Sequence, residues 1–102
     1  MNLPTAYRRI NKLLWLNRLP NTTITVVENE TMPQCLGMTL QDRDFVKPLI
    51  LVNAEAPNKG RTLIHEMLHV AEPHLPHGRT FELLVNSYWR FARKNIKGLD
   101  RL

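Results

Sequence analysis

The sequence predicts an α+β fold, and two observations carry that expectation. Segments of helical periodicity stand at both ends of the chain, and the β-branched and apolar runs that read as strands are grouped between them. Strands and helices do not alternate, which argues against a doubly wound parallel sheet. The expected order is an N-terminal helix, a small three-stranded sheet and two further helices. At 102 residues the chain is read as a single domain, 1–102.

Residues 4–18 read as the first helix. Pro4 suits a first turn, Tyr7, Ile10, Leu13 and Leu14 recur at helical spacing, and Leu19-Pro20-Asn21 stops the run. Thr23–Val27 is β-branched and reads as a strand. Residues 28–34 are polar, contain Pro33 and read as a loop. Residues 35–40 are expected to form a second strand, with Gly37 marking a bulge or a close backbone approach. Residues 41–44 read as a turn, and Leu49–Val52 as a buried strand.

A helix is expected near 59–71, with Ile64, Met67, Leu68 and Ala71 toward the core. Pro73 disfavours helix at Glu72, so 73–76 reads as a tight connection. The last helix is expected from about Gly78 to Lys97, burying Phe81, Leu84, Val85, Tyr88 and Ala92, with Gly98 at its end.

The helix at 59–71 carries His65-Glu66-Met67-Leu68-His69, an H-E-x-x-H pattern. Residues four apart share a helix face, so both imidazoles can reach one metal ion and Glu66 can reach a water on it. A catalytic zinc needs three protein ligands and an open position. Two histidines follow, His74 and His77. His74 is only five residues beyond His69, and no glycine intervenes to reverse the chain. His77 has a longer return path, beside Gly78, and is preferred as third ligand. His74 is then a rim residue or a donor to substrate.

Zinc in such a site lowers the pKa of bound water and polarises a carbonyl oxygen. Glu66 can take the water's proton and pass it to a leaving amine. An ionised carboxylate inside an apolar helix has little other rationale, because burying it unpaired is costly. A chance surface pair of histidines would leave His77 unexplained. No oxyanion donor is obvious. Tyr88 lies about 16 Å from His77 along one helix; His74 and Arg79 are nearer in sequence, and Tyr7 could arrive only through tertiary packing.

The pattern H-E-x-x-H followed by a separate His77-Gly78-x-x-Phe81 resembles the SprT-like zinc metallopeptidase family, to which the DNA–protein crosslink protease Spartan belongs. The likeness extends upstream to Leu19-Pro20, to the glycine-bearing Cys35-Leu36-Gly37-Met38 and to the apolar Leu49–Asn53. The step from His69 to His77 is short for the family. The resemblance implies a minimal zincin fold and one zinc ion held by His65, His69 and His77. It also implies Glu66 as catalytic base, protein or peptide substrates, and DNA-associated proteins among them.

Two rival readings stand beside it. A deformylase-like amide hydrolase would recruit Cys35, from Cys35-Leu36, as third ligand, but leaves His77 unused. A basic module without catalysis would bind nucleic acid or a protein on the same scaffold, but does not need Glu66.

The net charge is +5, with basic residues gathered at both ends. Arg8, Arg9 and Lys12 lie near the start, and Arg90, Arg93, Lys94 and Lys97 near the finish. These are the candidate nucleic-acid contacts, with a solvated face on each terminal helix as the plainer reading. Trp15 and Trp89 read as packing residues rather than a stacking platform. The single Cys35 excludes an internal disulfide and suits a reducing compartment. No apolar run is long enough to span a bilayer, and the Met1-Asn2-Leu3-Pro4 start lacks signal-peptide character, so a cytoplasmic location without membrane partners is expected.

Overall fold

A computed structural model describes residues 1–41 and 47–102; the expected turn at 41–44 therefore lies, from Asp42 on, outside the described residues. The first helix, α1, spans Leu3–Trp15. Asn2 caps it, its Oδ1 accepting from the Thr5 amide at 2.9 Å. The helix is shorter than the expected 4–18 because Leu16 and Asn17 turn left-handed, with φ of 54° and 63°. Asn11 secures that turn: its Nδ2 donates to the Leu19 carbonyl and its Oδ1 accepts from the Leu19 amide, both at 3.1 Å. The buried stripe is Leu3, Ala6, Tyr7, Ile10 and Asn11, while Leu13 and Leu14 are only partly buried.

Three strands follow: β1 at Thr23–Val27, β2 at Gly37–Leu40 and β3 at Leu49–Asn53. They form one mixed sheet in the order β1-β3-β2. The central β3 runs parallel to β1, with Ile24 opposite Ile50, and antiparallel to β2, with Gly37 opposite Val52. Its central place explains its apolar composition, with Ile50 and Val52 fully buried. Strand β2 begins two residues later than the expected 35, since Cys35 and Leu36 still belong to the approach. Asn53 fastens that approach. Its buried amide Nδ2 faces Asn29 Oδ1, the Met32 carbonyl and the Cys35 carbonyl at 2.9, 3.0 and 3.1 Å.

Helix α2 spans Lys59–Ala71, and Asn58 caps it through the Arg61 amide. It packs on β2 and β3 with Leu63, Ile64 and Met67 in the core. Val70 is buried where Ala71 was expected, and Ala71 is half-buried. Helix α3 spans Arg79–Asn95, inside the expected limits. Its buried face is Phe81, Val85, Trp89 and Ala92; Leu84 and Tyr88 are only partly buried. The stripe drifts because Trp89 turns toward the start of α2, leaving Tyr88 edge-on to Trp15 with centroids 5.5 Å apart. Both tryptophans thus pack within the fold, as expected. Gly98, at φ 86°, turns the chain into a short 3-10 helix at Leu99–Arg101. The result is the expected α+β arrangement, and no helix among the described residues is long and apolar enough to cross a membrane.

Candidate metal centre

The exposed side of α2 and the segment leading into α3 build the site. One helical turn separates His65 from His69, so their rings project side by side, with centroids 5.1 Å apart. The chain leaves α2 at Glu72, reverses through 73–76 and returns His77 against both. His77 Nε2 lies 2.8 Å from His69 Nε2 and 3.3 Å from His65 Nε2. Among the described residues these three form a group whose ligand atoms all lie within 4.8 Å of one another. Zinc–nitrogen bonds of about 2.0–2.1 Å in a tetrahedral array hold nitrogens about 3.3 Å apart, so the convergence fits a single ion. The three-histidine group can hold one metal ion.

A fully buried ring supports the group from beneath. Phe81 lies 4.8, 4.6 and 5.1 Å, centroid to centroid, from His65, His69 and His77. Burial holds the His65 imidazolium down at a pKa of about 4, helped by His69 and opposed by Glu82. Burial, then His77, lowers His69. Both imidazoles are therefore neutral at pH 7, the form that ligates metal.

Glu66 faces inward from the same helix and is 5 % exposed. Its two oxygens have different surroundings. Oε1 accepts from the Thr39 hydroxyl at 2.8 Å, and Oε2 lies 3.9 Å from His65 Nε2. Burial pushes the carboxyl up to about 7, against the Thr39 hydrogen bond, which lowers it. Gly37 makes room for this arrangement: a Cβ there would stand 2.8 Å from Thr62 Cγ2 and 2.9 Å from Glu66 Oε2. The glycine is the close backbone approach expected from the sequence, made by β2 against α2.

The group opens onto a cleft of about 850 Å³ between the approach to β2 and the two helices. Cys35, Thr39, Arg61 and Glu82 line it together with His65, Glu66, His69 and His77. Cys35 borders the cleft but is not a member of the ligand group. His74 is exposed in the connection and Arg79 is exposed in the first turn of α3; neither lines the cleft. Tyr7 stands elsewhere, donating to the Pro20 carbonyl at 2.6 Å. The seven basic candidates, Arg8, Arg9, Lys12, Arg90, Arg93, Lys94 and Lys97, are all exposed on α1, α3 and the residues just beyond.

Among the cleft residues not singled out from the sequence are Thr39, Arg61 and Glu82. Arg61 had a signal, since it stands one turn before His65 on the same face. Thr39 and Glu82 reach the site only through packing between elements, which local spacing does not encode. Compared with family models, curated proteins and solved structures, the chain matches none.

Proposed function

We propose that this protein is a zinc-dependent metallopeptidase of the SprT-like kind, with Glu66 as the general base of peptide-bond hydrolysis. The observation that carries the reading is the pairing of a three-histidine group with a buried carboxylate whose two oxygens are differently engaged. His65, His69 and His77 would hold the ion, and when bound it supplies Lewis acidity to water and to a substrate carbonyl. Thr39 fixes Oε1 of Glu66, leaving Oε2 at the cleft to accept a proton from water and return it to the departing amine. A carboxyl poised near neutrality can do both.

Glu66→Gln keeps the shape and the Thr39 contact but removes the proton acceptor. It should retain zinc and thermal stability, and cut cleavage of a loosely folded protein by about 10²–10⁴-fold. Undiminished cleavage by the zinc-loaded variant would refute the assignment. One other reading has its own support. The exposed cations suit a non-catalytic basic module on this scaffold, for which wild-type protein would bind zinc and cleave nothing. A deformylase-like role rests on Cys35 alone, whereas the ligand group contains His77. The substrates best matched to the basic surface are proteins associated with DNA, encountered in a reducing cytoplasm that keeps Cys35 free.

A further inference from the structure

The three imidazoles converge through their Nε2 atoms, so each Nδ1 points away from the point of convergence. For His65 that second nitrogen faces a carboxylate: Nδ1 lies 3.9 Å from Glu82 Oε1. Among the described residues, neither His69 nor His77 has a carboxylate within ion-pair reach. Glu82 stands in the first turn of α3, where the helix dipole favours a negative charge. It follows Phe81, the buried ring that supports all three histidines, so the packing that seats Phe81 also fixes where Glu82 enters. The other oxygen of Glu82 is held from α2. Arg61 Nη2 donates to Glu82 Oε2 at 3.1 Å and to Asn86 Oδ1 at 2.7 Å. Arg61 is one turn before His65, and Asn86 is one turn after Glu82. The guanidinium therefore ties the two helices together beside the ligand group and limits the carboxylate's movement.

We propose that Glu82, held by Arg61, is the positioning residue that keeps His65 as the Nδ1–H tautomer with Nε2 turned to the metal. A ligating histidine commonly donates its other N–H to a carboxylate, which fixes ring orientation and raises basicity. At 3.9 Å the pair is within ion-pair reach but too long for a hydrogen bond, and with Glu82 held by Arg61 the bond forms when the His65 ring turns toward it. Glu82 touches no reacting atom in this role; it acts through His65. The inference rests on the metal-binding part of the reading above and not on peptide hydrolysis.

The test is zinc affinity, measured by competition with a chromophoric chelator on the purified full chain. Glu82→Ala should weaken zinc binding by about 10–100-fold, the usual consequence of losing such a partner. Glu82→Gln, whose amide oxygen still accepts from Nδ1–H, should recover part of that loss. Arg61→Met should weaken binding less than Glu82→Ala, and Glu55→Ala, an exposed acid outside the cleft, should leave it unchanged. Long-range 15N–1H spectra of the zinc-loaded protein supply the readout a merely structural role would not move. His65 should be the Nδ1–H tautomer in wild type, with a slowly exchanging Nδ1 proton that Glu82→Ala loses. Wild-type affinity in Glu82→Ala, or an unaltered His65 proton signal, overturns the proposal while leaving the three-histidine site intact. Failure of the wild-type protein itself to bind zinc overturns the metal site and this proposal together.

Discussion

At the scale of single residues, the way the chain reverses after α2 separates His77 from His74. The connection at 73–76 leaves His74 exposed and outside the cleft, then delivers His77 Nε2 to within 2.8 Å of His69 Nε2. His77→Ala should therefore lower zinc stoichiometry in purified protein far more than His74→Ala. Equal loss in both, or a greater loss with His74→Ala, measured by atomic absorption after dialysis against apo buffer, would unseat His77. The histidines were legible in the sequence because helical spacing alone puts His65 and His69 on one face, and because His77 had the backbone freedom to return. Glu66 was legible for a related reason: an acid on the inward face of an apolar helix demands an explanation. The Thr39 hydroxyl that holds it was not legible. That bond spans twenty-seven residues and depends on β2 lying against α2.

At the scale of elements, periodicity and composition located the three α-helices and three strands among the described residues but not the 3-10 helix at Leu99–Arg101, while their ends and buried stripes were decided by contacts between them. Leu16 carries no helix-stopping signal, yet α1 ends before it because the buried Asn11 side chain bonds both polar backbone groups of Leu19. Strand composition gave three strands but not their order, because the parallel pairing of β1 with β3 joins segments whose pairing no local turn dictates. The burial of Trp89 in place of Tyr88 has a similar origin at the start of α2. Gly60 lies in the first turn there, and a Cβ would stand 2.8 Å from the Leu99 carbonyl oxygen and 2.8 Å from Trp89 Cζ3. A glycine-to-alanine change in a helix ordinarily gains about 1 kcal/mol. Here one obstacle is a backbone carbonyl, which cannot rotate aside, and overpacking costs about 1–3 kcal/mol. Gly60→Ala should therefore destabilise the fold by about 1 kcal/mol, seen as a lower denaturation midpoint with an unchanged slope. A higher midpoint would mean that Leu99 and Trp89 yield more easily than their packing suggests.

At the scale of the whole molecule, the sequence revealed an excess of positive charge but not its disposition. The fold packs α1 against α3, so the basic residues from the two ends of the chain belong to neighbouring elements. Arg8 and Arg90 bond only within their own helices, to Thr5 and Asn86, and among the described residues none of the seven cations forms an ion pair. Cations without acidic partners among the described residues suit a polyanion, and DNA is the partner that the proposed function gives them. If these side chains meet phosphates, binding releases counterions, and the affinity falls with salt at about 0.9 logarithmic units per phosphate contact for each tenfold change. Replacing Arg90, Arg93 and Lys94 together by glutamine should then flatten the plot of log affinity against log salt by about 2–3 units. Zinc content should be untouched, because none of the three lines the cleft. Fluorescence anisotropy with labelled single- and double-stranded DNA, titrated from low salt upward, measures the slope directly. An unaltered slope in the triple variant would move the contact surface away from α3, toward Arg8, Arg9 and Lys12. Wild-type protein that binds neither form of DNA at low salt would show these charges to be solvated, and the proposed peptidase activity would then operate without nucleic acid.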